Sequence, residues 1–93
     1  MRYGSRIPEE YRRKVSYRIR RTMSPHIREA KSMNSEFEAA GEALEVSTVA
    51  VRAWYEGISL PTIYNLVRWA DLYDVSLDYI LGRKIAGEIK KAA

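Results

Sequence analysis

Leu44-Glu-Val-Ser-Thr-Val-Ala-Val-Arg-Ala-Trp-Tyr-Glu-Gly57 decides how the rest of this 93-residue chain is read. Ser47 is a helix N-cap residue, and Gly57 is a residue that stops helices, so the stretch predicts a helix from Thr48 to Tyr55 or Glu56. Projected at ~100° per residue, Ala50, Val51 and Trp54 gather on one side. Thr48, Val49, Arg52, Ala53 and Glu56 share the other. The Trp54 edge calls for a protein core, while the Arg52 edge is sparsely polar and faces outward.

The flanking sequence reads as helices as well. Upstream, Asn34 or Ser35 caps a helix, with Ser35 and Glu38 spaced as a capping box. Phe37, Ala40, Gly41 and Leu44 share one face of it, and Glu45-Val46-Ser47 breaks it. Helices 37–44 and 48–55 joined by three or four residues have the proportions of a helix-turn-helix. Downstream, Pro61-Thr62 opens a helix in which Ile63, Leu66, Val67 and Ala70 keep the i, i+3, i+4, i+7 spacing. Asp74 ends that helix. Ser76 caps the next, with Val75 and Ile80 placed as a hydrophobic staple, and Gly82 stops it.

Toward the N-terminus, Pro8 suits a first helical position, and Glu9 and Glu10 complement the helix dipole. Tyr11, Val15 and Ile19 recur every four residues as a buried stripe. Ser24-Pro25 repeats the start signal, so either a second helix begins there or the first one kinks. Ile27, Ala30 and Met33 supply its apolar side. No segment alternates as a strand does, and the connections are short. The expected fold is all-α, a compact bundle of five to six short helices. It divides into a basic N-terminal arm or helix (1–23), a helix-turn-helix domain (24–82) and a tail (83–93) that forms a short helix through Ile85 and Ile89.

Composition narrows the chemistry. A chain of this length, 46% hydrophobic and 30% charged, holds one modest core. It contains no cysteine and a single histidine, His26. There is no H-E-x-x-H, phosphate-cradling glycine loop or G-x-S-x-G, so neither an enzyme nor a metal or cofactor site is expected. No apolar run reaches the ~18 residues of a membrane span, and the N-terminus lacks a secretory signal's apolar stretch, so a cytoplasmic location is expected. Charge is split along the chain. Residues 1–31 hold ten Lys/Arg against Glu9, Glu10 and Glu29, a net of +7, and residues 32–93 hold six against nine Asp/Glu, a net of −3. Such asymmetry suits either a basic surface directed at a polyanion or a solvated amphipathic helix.

Leu44, Val46, Ser47, Val51, Trp54 and Gly57, in register with Pro61, Leu66, Ala70 and Val75-Ser-Leu-Asp-Tyr-Ile-Leu-Gly82, resemble the phage repressor and Cro-like helix-turn-helix family, also called the xenobiotic-response-element family. The likeness covers residues 36–82, about half the chain. It implies a transcriptional regulator of repressor type, phage or prokaryotic, that binds double-stranded DNA as a homodimer. Family members lay the second helix of the motif in the major groove. The resemblance thereby assigns base reading to Thr48, Val49, Arg52 and Ala53. Arg52 would donate to guanine O6 and N7, and Val49, Ala53 and the Thr48 methyl would meet thymine methyl groups. Ser47 is the N-cap with phosphate contact as a second use.

Three features depart from the family pattern. Glu36, Phe37 and Glu38 stand near a common glutamine, Glu45 stands at the turn glycine, and Glu56 stands at a common asparagine. Glu45 in a left-handed turn implies a strain of about 1–2 kcal/mol. With carboxylates at these places, phosphate contact falls to the basic segment 12–21, chiefly Arg12, Arg13, Arg20 and Arg21, with Arg2 and Arg6 available to a minor groove. The expected dimer surfaces are the last helix (Leu77, Tyr79, Ile80, Leu81) and the tail. The same acidic helix, 36–45, also suits a different reading, a protein-interaction module such as an antitoxin, an antirepressor or a regulator's partner.

Overall fold

Five helices run through residues 7–83, the part of the chain that the computed structural model describes: α1 (Glu9–Ala30), α2 (Met33–Leu44), α3 (Thr48–Glu56), α4 (Ile63–Tyr73) and α5 (Leu77–Leu81). No strand occurs among the described residues, and the fold is the expected all-α bundle. None of these helices is long and apolar enough to cross a membrane. Residues 84–93, with Ile85 and Ile89, and the N-terminal Arg2 and Arg6 lie outside the described residues.

Local chemistry sets the helix ends. Ser47, Thr62 and Ser76 cap α3, α4 and α5, each side-chain oxygen accepting the amide three residues on (3.0, 3.2 and 3.0 Å). The cap of α2 is Ser32 rather than Asn34 or Ser35; its oxygen accepts the Ser35 amide at 3.1 Å. At the other ends α2 to α5 close alike. Glu45, Gly57, Asp74 and Gly82 take left-handed backbone. The following amide then reaches back five residues, as in Val46 N to Gly41 O at 2.9 Å and Val75 N to Ala70 O at 3.0 Å. This closure satisfies carbonyls that the helix itself leaves unpaired.

Three expectations are corrected. First, α1 is one helix of 22 residues that passes through Pro25. The boundary expected between residues 23 and 24 therefore falls inside an element. Val15, Ile19 and Met23 are buried in the common core, so of the arm and the helix that the sequence allows, residues 9–30 form the helix, as part of the bundle. Tyr11 is half exposed, and the stripe is completed by Ser16, Thr22 and Met23 instead. Second, α4 buries Leu66, Trp69, Ala70 and Tyr73, leaving Ile63 and Val67 outside. The sequence offers two overlapping apolar stripes, and the larger one, with Trp69, turns inward. Third, α5 is not a free apolar face. Ile80 is buried, and Leu77, Tyr79 and Leu81 pack against the core.

Trp69 organises the centre. Its indole N–H donates to Thr22 Oγ1 at 2.9 Å, and that hydroxyl donates to Ile19 O at 2.7 Å. A buried indole and a buried hydroxyl thus satisfy each other. Trp54 meets Trp69 edge to face, with ring centroids 6.0 Å apart, which ties the Trp54 edge of α3 to α1 through α4.

Candidate nucleic-acid interface

α2 and α3 are packed together and joined by the three residues 45–47, so the helix-turn-helix proportions read from sequence are present. Gly41 lets the turn come close: a Cβ there would lie 2.8 Å from Val46 O. Glu45 makes the turn at φ 61° and ψ 43°, the left-handed geometry that the sequence assigned to it. The unit is also pinned from outside, because Arg68 on α4 donates to Leu44 O at 2.8 Å and to Ala43 O at 3.3 Å.

On α3 the two edges separate as the projection implied. Val51 and Trp54 are buried, while Val49 is 75% exposed and Arg52 and Glu56 are exposed. Thr48 and Ala53 are half buried and flank this outer face. Ser47 is exposed, its hydroxyl accepting the Ala50 amide at 3.0 Å, so it serves first as a cap. Arg52 does not pair with Glu56. Its Nη2 donates to Asn34 Oδ1 at 3.1 Å, and its guanidinium lies 5.2 Å from the Phe37 ring centroid. That contact holds the arginine upright between α3 and the start of α2, with donors left over.

The carboxylates near the start of α2 are partly absorbed. Glu36 accepts the Tyr73 hydroxyl at 2.6 Å. Burial, then the bond to Glu36, pushes the Tyr73 phenol far above its ordinary range. Glu38 is 3.4 Å from the Asn34 amide nitrogen. Glu36 is thus held by a protein partner, while Glu38 stays exposed.

The four arginines assigned to phosphate divide. Arg20 donates to Tyr55 O at 2.9 Å and to Ser16 Oγ at 3.1 Å, so it closes the C-terminal end of α3. Arg12 is half buried, with Nη1 on Ile7 O at 2.7 Å. Both guanidinium groups thus carry internal bonds, Arg12 at the start of α1 and Arg20 at the end of α3. Arg13 is exposed and only loosely paired with Glu9 at 3.9 Å. Arg21 is exposed beside Tyr17, with its guanidinium 5.8 Å from the ring. Its Nη1 donates to the Tyr17 hydroxyl at 3.3 Å, and the neighbouring Tyr17, then Tyr79, raise its pKa above the ordinary value. Arg13 and Arg21 are the more exposed pair of the four.

The internal bonds of Arg18 and Arg68 are absent from the sequence reading. Arg18 donates to Tyr79 O at 3.0 Å, doing for α5 what Arg20 does for α3 and Arg68 for α2. Three arginines thus meet the carbonyl ends of three helices, where partial negative charge collects. No local signal announces such pairs, since their members lie 24 to 61 residues apart. Among the described residues no group of three or more His, Asp or Glu side chains is placed to hold a metal ion. In comparisons with known proteins, no family model, curated protein or solved structure matches this chain.

Proposed function

We propose that the chain is a sequence-specific, double-stranded-DNA-binding transcriptional regulator of repressor type, phage or prokaryotic, acting in the cytoplasm with α3 in the major groove. The observation that carries this reading is the outer face of α3. Val49 and Arg52 project on the side opposite the buried Val51 and Trp54, on a helix held at both ends by a cap and by Arg20. A nine-residue helix fixed in this way can enter a groove as a rigid body.

In that mechanism Arg52 exchanges its Asn34 partner for guanine O6 and N7, a contact worth about 1–3 kcal/mol of discrimination. Val49, with Thr48 and Ala53 beside it, contacts thymine methyl groups. Ser47 at the start of α3, with Arg13 and Arg21 on α1, meets phosphates and supplies affinity without sequence preference. The regulator works as a homodimer on a two-fold site whose half-sites lie about 34 Å apart. No catalytic step, cofactor or metal is part of this mechanism.

A second reading, a protein-interaction module that keeps the fold and binds little DNA, is favoured by one observation. The exposed surface of α2 and the ends of α3 are acidic, with Glu38, Glu42, Glu45 and Glu56 all outward. Fluorescence anisotropy with random duplex DNA at 50 and 200 mM salt separates the two. A DNA-binding regulator binds at low salt and loses affinity steeply, about 100-fold or more if roughly four phosphates or more are neutralised. An interaction module shows no salt-sensitive binding at either concentration.

A further inference from the structure

The side of α1 turned away from the core interleaves cations with aromatic rings. Projected at ~100° per residue, Lys14, Tyr17, Arg21 and Arg28 stand opposite buried Val15, Ile19 and Met23, and all four are exposed. Tyr11 lies at the edge of this face. The Tyr11 ring is 50% exposed and that of Tyr17 48%. Each has a cation over it: the Lys14 ammonium is 5.9 Å from the Tyr11 centroid, and the Arg21 guanidinium is 5.8 Å from that of Tyr17. Arg21 also donates to the Tyr17 hydroxyl at 3.3 Å. Both rings are therefore steadied at the surface by neighbours on their own helix.

Arg21 and Arg28 are two turns apart, about 10 Å along the helix. Between them the small side chains of Ser24 and Pro25 make a low floor, and these four residues line a recess of about 350 Å³. Two guanidinium groups across such a floor can hold a phosphate between them. The carboxylates of α1 stand at its ends, Glu9 and Glu10 before Lys14 and Glu29 after Arg28, with none between.

We infer that this face binds single-stranded nucleic acid, its phosphates at Arg21 and Arg28 and a base stacked on Tyr17. The inference goes beyond the reading of α3 and does not rest on it. Chemistry selects the ligand. Positive charge alone suits any polyanion, an acidic protein or a duplex included. Exposed rings do little for either, and a duplex hides the faces of its bases in the stack. An unpaired strand offers base faces and phosphates together, and tyrosine rings and guanidinium planes both stack on bases. From Tyr11 to Arg28 the face is about 26 Å long at ~1.5 Å per residue, enough for a short site of roughly four nucleotides.

Fluorescence anisotropy of the full chain with labelled oligothymidylate and oligouridylate of about twelve nucleotides, at 50 mM salt, tests the proposal. Both are expected to bind, and inorganic polyphosphate of equal charge is expected to compete about 10-fold less well or worse. Tighter binding of one oligonucleotide supports the proposal equally and identifies the sugar. Tyr11→Ala/Tyr17→Ala is expected to bind about 10-fold or more weakly, the size of a lost base–aromatic stack, with an unchanged far-UV circular dichroism spectrum. Tyr17→Phe keeps the ring and is expected to bind as the wild type does. Arg52→Ala, on α3, is expected to leave single-strand affinity unchanged.

Absence of binding, equal competition by polyphosphate, or a folded alanine variant that binds like the wild type overturns the assignment. So does an Arg52→Ala loss as large as that of the tyrosine variant. If the double variant loses its helical spectrum, Tyr17→Ala alone takes its place under the same criterion. Duplex binding is measured on the same samples. Single-strand binding without duplex binding leaves the α1 assignment standing and removes the α3 reading, and duplex binding alone does the reverse.

Discussion

At Glu45 the backbone sits at φ 61°, a region that costs a side-chain-bearing residue about 1–2 kcal/mol. Glycine enters it freely but carries more freedom in the unfolded chain, which returns roughly half of that gain. Glu45→Gly is expected to stabilise the protein by about 0.5–1 kcal/mol in urea denaturation. Asp74, at φ 56°, makes the equivalent closure of α4. Tyr73 gives a pH signature. Its phenol pKa is raised from 10.0 by burial and by the Glu36 carboxylate, so the folded state holds this proton more tightly than the unfolded chain. Stability from it is complete below about pH 10 and is lost as pH rises beyond that. Tyr73→Phe is expected to flatten the fall in thermal midpoint between pH 9 and 11; an identical slope in the variant contradicts this. Legibility at this scale depended on range. Ser47, Gly57 and Ser76 were readable because their partners lie within a few residues. The Trp69–Thr22 and Arg52–Asn34 bonds were not, since they join distant segments only after folding.

Among the elements, α1 departs furthest from expectation. Ser24-Pro25 reads as a start signal, yet α1 continues through it, because Met23 and Ile27 on either side pack against the core. Burial of that stripe outweighs the hydrogen bond lost at Pro25. The basic residues of α1 consequently act in two ways that sequence alone does not separate. Arg20→Ala removes a charged donor from Tyr55 O and Ser16 Oγ and is expected to destabilise folding by about 1–3 kcal/mol. Arg13→Gln/Arg21→Gln leaves the core untouched. It is expected to keep the thermal midpoint within a degree or two while flattening the salt dependence of DNA binding by about two phosphate equivalents. An unchanged slope removes α1 from the phosphate contacts. The apolar stripe of α4 was misread for a related reason. Spacing alone admits Ile63/Leu66/Val67/Ala70 and Leu66/Trp69/Ala70/Tyr73 alike, and the choice is made by aromatic volume in the core.

For the whole molecule, function depends on which surface each helix shows. One core built on Trp69 turns the Trp54 edge of α3 inward, and the Arg52 edge is left outside. The DNA-binding reading stands on that orientation and on Arg52 touching a base. Selection of bound sites from a random duplex library, run in parallel for the wild type and Arg52→Ala, tests it most directly. The account expects the wild type to enrich a palindrome with half-site centres one helical turn apart, and the variant to relax preference at one base pair per half-site. Failure to enrich any sequence, or a variant that weakens binding to all sequences equally, contradicts it.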